Sequence, residues 1–115
     1  MKILIVEPIK GYKGENIQIP YQEGGKVKWK EANVKDILWT ILHQAPFSSQ
    51  NDSIEGRKLA VALDNANGVI KIEDSTFLWI KPIAEKVTPQ LFKINGNVVY
   101  EYICNAKEPD REGKE

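Results

Sequence analysis

An α+β fold, with an N-terminal β-hairpin or small antiparallel sheet followed by a mainly helical region, is predicted by three features of the sequence. Residues 1–32 hold short apolar runs with two-residue alternation, a strong helical period begins at Asn33, and glycine and proline punctuate the chain between elements. A chain of 115 residues that is 42% hydrophobic and 28% charged can enclose one core without disulfides or metal. One globular domain is expected over 1–106. Residues 107–115, nearly all charge with Pro109 and Gly113, are expected to be a disordered tail.

Residues 3–9 are rich in β-branched side chains and are predicted to be a strand covered on much of both faces. Lys10, Gly11 and Gly14 break it. Ile17 and Ile19 then alternate with Gln18 as far as Pro20, and after Gly24-Gly25 the apolar Val27 and Trp29 alternate with Lys26, Lys28 and Lys30. These two runs form a hairpin whose apolar side chains are expected to point inward and whose lysines are expected to meet water.

Val34, Ile37, Leu38, Ile41 and Leu42 recur on one face of a helix over 33–45, with Asn33 as its N-cap, Asp36 at the third position and Pro46 beyond its end. A second helix is expected from Asp52, as cap with Glu55, through Leu59, Leu63 and Ala66 to a stop at Gly68. Residues 69–72 make a short strand or extended connector. Phe77, Ile80, Ala84 and Val87 lie on one side of a third helix, which Pro82 is expected to kink or divide, with Thr88-Pro89 opening a fresh turn. Residues 98–106 combine strand-favouring valines and tyrosines with a helical face of Val99, Tyr102, Ile103 and Ala106, and the helix is preferred.

Sixteen basic and sixteen acidic residues cancel, so the whole molecule has no long-range attraction to nucleic acid or anionic lipid. Their placement is uneven: residues 1–35 carry net +3 and residues 36–115 net −3. The single Cys104 leaves no partner for an intrachain disulfide, as is usual in reducing compartments, and a cytoplasmic location is expected. Glu7, Pro8 and Lys10 end the first apolar run before it could serve as a signal peptide, and no apolar stretch approaches a membrane span of about 20 residues.

No spacing joins Cys104 to His43 as nucleophile and base, and one histidine with one cysteine cannot supply a zinc site. Gly24-Gly25-Lys26 lacks the remaining residues of a phosphate-binding loop. No catalytic residue, metal or cofactor is predicted, and the protein is expected not to be an enzyme. Two surface features remain. Lys26, Lys28 and Lys30 share one strand face near Trp29, a spacing that can follow a phosphate backbone. Trp39 and Trp79 each follow apolar runs too wide for a single helical face, which makes them candidates for a protein interface.

The run Gly56-Arg57-Lys58-Leu59-Ala60-Val61-Ala62-Leu63-Asp64-Asn65-Ala66, followed by Val69-Ile70-Lys71-Ile72-Glu73-Asp74 and Phe77-Leu78-Trp79-Ile80, resembles small proteins encoded by phages and prophages. The resemblance implies an accessory or assembly role through binding another protein or a second copy of the chain. Nucleic-acid binding through the lysine stripe is the alternative.

Overall fold

The structure, a computed structural model, describes residues 1–108. Strand β1 (Lys2–Ile5) is followed by the hairpin strands β2 (Gln18–Glu23) and β3 (Lys26–Glu31), then by helices α1 (Val34–Gln44) and α2 (Gln50–Asp64). Strand β4 (Val69–Ile72) leads into the long helix α3 (Asp74–Phe92), a 3₁₀ turn at Lys93–Asn95 and the last helix α4 (Gly96–Cys104). The strands form two separate antiparallel pairs, β1 with β4 and β2 with β3, so the predicted α+β class holds. Residues 98–106 are helical through Cys104, as preferred from their apolar face.

The N-terminal run forms a shorter strand than expected. Pairing Lys2 with Ile72 through Ile5 with Val69 satisfies one edge of β1, while Ile3 exchanges two backbone hydrogen bonds with Lys107, at 2.6 and 2.9 Å, on the other. Beyond Val6 the backbone leaves the sheet and is held by local contacts instead, Val34 N–H donating to Glu7 and Ile17 N–H to Ile9. Ordered backbone thus continues to Lys107 and Glu108; the rest of the expected tail lies outside the described residues.

Helix α1 follows from its sequence directly. The Asn33 side chain accepts from Asp36 N–H at 2.9 Å while Asp36 accepts from Asn33 N–H, a reciprocal capping box that satisfies two otherwise orphaned donors. Its apolar face then packs wholly inward, with Val34, Ile37, Leu38 and Ile41 inaccessible to solvent. Leu59 and Leu63 of α2, Ile70 and Ile72 of β4, Ile80 and Ala84 of α3, and Val99 and Ile103 of α4 complete the same core. Helix α3 touches each of the other three helices.

Two helix boundaries differ from expectation. The cap of α2 is Ser49, whose hydroxyl accepts from Asp52 N–H at 3.1 Å, because the Asp52 carboxylate is occupied by other donors. Glu55, rather than completing a capping box, is buried and accepts from the Thr76 hydroxyl at 2.7 Å, joining α2 to α3. Helix α3 runs without interruption through Pro82 and Pro89. An interior proline costs a helix about 3 kcal/mol. Here buried Phe77, Ile80, Ala84 and Val87 hold one continuous face on both sides of Pro82, and both prolines lie on the exposed face, where the carbonyls they leave unbonded can meet water.

Gly96 sets the approach of α4 to α3. A Cβ at this position would lie 2.6 Å from Pro89 Cα, so only glycine permits the contact.

Candidate functional site

The hairpin is built around its turn. Gly24 and Gly25 have φ of 60° and 77°, the two positive values of a type I′ turn, whose twist matches that of the flanking strands. The turn fixes the register Glu23 to Lys26, Tyr21 to Lys28 and Ile19 to Lys30, with Gln22 to Val27 and Pro20 to Trp29 between them. Residues directly opposite in an antiparallel pair share a face. One face therefore carries the three lysines with Ile19, Tyr21 and Glu23, and the other carries Val27, Trp29 and Pro20.

The sequence expectation holds for the buried Ile17 and Ile19 and for the solvent-exposed lysines, and fails for Val27 and Trp29. Ile19, which roots the ribbon in the core, lies on the lysine face, whereas Val27 is 60% and Trp29 62% exposed. Every residue of β3 is solvent-accessible. Alternation establishes which side chains travel together but not which set finds a neighbour, and this ribbon extends past the core that would have covered Val27 and Trp29. On the lysine face, Lys28 reaches Glu23 at 3.3 Å and Lys30 reaches Asp36 at 3.9 Å while lying over the Tyr21 ring. No carboxylate pairs with Lys26 among the described residues.

Behind the Trp29 face lies a groove of about 430 Å³, walled on one side by Trp29 and Glu31 and on the other by Leu91, Phe92 and Lys93. Its far wall is shaped by the end of α3, where Lys93 takes the positive φ of 55° uncommon outside glycine. Asn95 braces the end of the groove by accepting from Tyr12 N–H at 2.9 Å. The Asn16 side chain also lines it, with a buried Oδ1 that has no hydrogen-bond partner. The lining is mixed, with Ile17, Trp29, Leu91 and Phe92 interleaved with Glu15, Asn16, Gln18, Glu31, Lys93 and Asn95, so the groove offers polar as well as apolar contacts. Sequence reasoning did not find it, because the period of residues 74–92 does not reveal that α3 ends beside the hairpin.

The two candidate tryptophans are half-buried and each is committed to neighbours within the chain. Trp79 Nε1–H donates to Asp52 Oδ1 at 2.9 Å, its ring meets Phe47 at 5.8 Å, and Gly56 leaves room for both rings. Asp52 also accepts from Ser48 N–H at 3.0 Å. The Trp79 bond, followed by the Ser48 backbone bond, holds the carboxyl at about 2, well below its ordinary value. Trp39 stacks on His43 one helical turn away, with centroids 5.9 Å apart. The structure does not bring Trp39 or Trp79 together with the lysine stripe; of the predicted residues, Lys26, Lys28, Trp29 and Lys30 share one element.

Cys104 is half-buried on α4 beside Tyr100, whose hydroxyl is pushed up to about 12, first by its hydrogen bond with the thiol. Tyr102 donates to Glu7, and burial, then that carboxylate, raises its pKa as well. His43 is instead the stacking partner of Trp39. Among the described residues, no cluster of three or more His, Cys, Asp or Glu side chains is placed to hold a metal ion, and no helix is long and apolar enough to cross a membrane.

No protein-family model, curated protein or solved structure matches the chain.

Proposed function

We propose that the protein is a non-enzymatic recognition module that binds another protein through the β2–β3 hairpin and the groove behind it. The observation that carries this is the pair Val27 and Trp29, two residues apart on one face of a strand exposed along its whole length. A large aromatic facing water contributes contact area at little cost in side-chain entropy, which is why such residues dominate protein interfaces. Trp39 and Trp79, the candidates suggested by the helix pattern, already have neighbours and offer less free surface. An accessory role of phage or prophage type, in a host cytoplasm, belongs to the same proposal and rests on the resemblance of residues 56–80.

A second reading, nucleic-acid binding, is favoured by the shared face of Lys26, Lys28 and Lys30, although Glu23 and Asp36 offset two of the three charges. Affinity purification from the native host with wild-type protein and with a Val27→Ser/Trp29→Ser variant separates the two. A protein retained by the wild type and lost by the variant is the expected result. Recovery of nucleic acid that a Lys26→Glu/Lys28→Glu/Lys30→Glu variant releases, with no such protein, would establish the second reading in its place.

A further inference from the structure

We propose that the segment recognised is an extended acidic peptide, alternating acidic and apolar residues, that adds as a strand to the free edge of β3; this rests on the hairpin being the recognition surface. The edge follows from the register. Ala32 N–H donates to Ile17 carbonyl at 2.9 Å, which places Gln18 and Glu31 at a pair without mutual hydrogen bonds and Ile19 and Lys30 at a bonded one. Continuing the alternation, the lysines turn their backbone groups toward β2, and Val27, Trp29 and Glu31 turn theirs away from the hairpin. Among the described residues none of those three outward-facing N–H and C=O groups has a backbone partner. The opposite edge is different: Pro20 sits at an outward position of β2 and has no N–H to offer. One edge of the ribbon is blunted and the other is open.

Charge selects the occupant of the open edge. Two copies of β3 placed antiparallel about Trp29 would set Lys28 against Lys30 of the other copy, and about Lys28 would set that lysine against itself; like charges directly opposite disfavour both. The same lysines attract a strand that presents a carboxylate at every second residue. The apolar residues between those carboxylates fall on the other face, beside Val27 and Trp29. Among the described residues Lys26 has no carboxylate to give up. The Lys28–Glu23 pair is exposed on both sides and contributes little, and Lys30 meets Asp36 only at 3.9 Å, that carboxylate being held in the α1 capping box. Repulsion of a second copy and attraction of an acidic strand are thus two effects of one pattern.

The test uses the full chain and fluorescein-labelled, end-blocked probes of the length of β3: Glu-Val-Glu-Val-Glu-Val, its Lys-Val counterpart, and two forms of the acidic probe N-methylated at alternate residues. The acidic probe is expected to bind, more weakly as salt rises, and the basic one not to bind. Only every second amide of an added strand faces its neighbour. Methylating one alternate set should weaken binding by more than about tenfold and methylating the other should leave it intact. Lys26→Glu/Lys28→Glu/Lys30→Glu should transfer binding to the basic probe. Val27→Pro, which removes an outward N–H without removing a hairpin bond, should weaken it while the far-ultraviolet spectrum is unchanged.

Equal binding by both methylated forms would show side-chain docking and overturn strand addition, leaving protein recognition by the hairpin in place. Concentration-dependent dimerisation lost in Val27→Pro would assign the edge to a second copy and overturn the acidic partner. If no probe binds, strand addition falls; hairpin recognition falls with it only if the Val27→Ser/Trp29→Ser variant also retains every protein that the wild type retains.

Discussion

Helix α1 and the β2–β3 hairpin are neighbours in sequence, separated by Ala32 and Asn33, yet they are defined in opposite ways. The helix has five buried apolar residues and takes its place from what it packs against. The hairpin buries little beyond Ile19 and takes its form from its own turn and register. An element fixed by packing is strongly specified but has no surface left to give. One fixed by its turn can keep its register while leaving most of its surface and an edge open, the form that the proposed recognition role would use.

Five substitutions or titrations probe that contrast. Replacing Leu38 by Ala removes a side chain with no solvent exposure, and chemical denaturation should show a loss of about 2 to 5 kcal/mol. Placing a methyl group at Gly96 forces α4 away from the Pro89 backbone; Gly96→Ala should cost about 1 to 3 kcal/mol, the range for overpacking, in the same measurement. An effect as small as that of a surface change would show that the α3–α4 contact is more yielding than the rest of the core.

In the hairpin, Gly25→Ala imposes a side chain at φ 77° and should cost about 1 to 2 kcal/mol. Its signature should be local: amide exchange of hairpin residues should accelerate while that of α1 is unchanged. Uniform acceleration would mean that the ribbon and core unfold as one unit and would erase the contrast.

Asp52 supplies the pH-dependent case. Its carboxyl titrates at about 2 when folded against 3.8 ordinarily, so its contribution is present above 3.8 and disappears as pH falls through that value toward 2. Trp79→Phe keeps a ring against Phe47 but removes the donor. The stability difference between wild type and this variant should be present at pH 7 and shrink steadily below pH 4, as the carboxylate of the wild type protonates. A difference that does not change with pH would show that the indole acts by packing alone. The smallest effect is expected at the most exposed tryptophan: Trp29→Ser should alter stability by no more than about 0.5 kcal/mol while abolishing partner capture.

Legibility in the sequence followed the same division. Asn33, Asp36 and the five apolar residues of α1 are close in sequence, and their cap and burial are as their pattern predicts. The hairpin was also legible from Gly24-Gly25, but not the exposure of Val27 and Trp29, because Ile19 belongs to the face of the lysines and only the core decides which face is covered. The continuity of α3 through two prolines was hidden for a similar reason: the penalty is local, whereas the burial that outweighs it comes from three other helices. At the candidate site, the lysine stripe and Trp29 could be read directly. The open edge of β3, the groove beside α3 and the Trp79–Asp52 bond depend on contacts between distant segments that no spacing records.

The β1 sheet has a consequence for the order in which the molecule can assemble. Its pairs join Lys2 to Ile72 and Ile3 to Lys107, whereas the hairpin closes over two intervening glycines. On a ribosome, the hairpin can form once its own residues have emerged, while β1 must wait for one neighbour and then, after three further helical segments, for the other. Until Lys107 arrives, the apolar strand β1 retains an unsatisfied edge. The nascent chain therefore carries two open strand edges together until Lys107 is made, one at β1 that synthesis eventually seals and one at β3 that it leaves open.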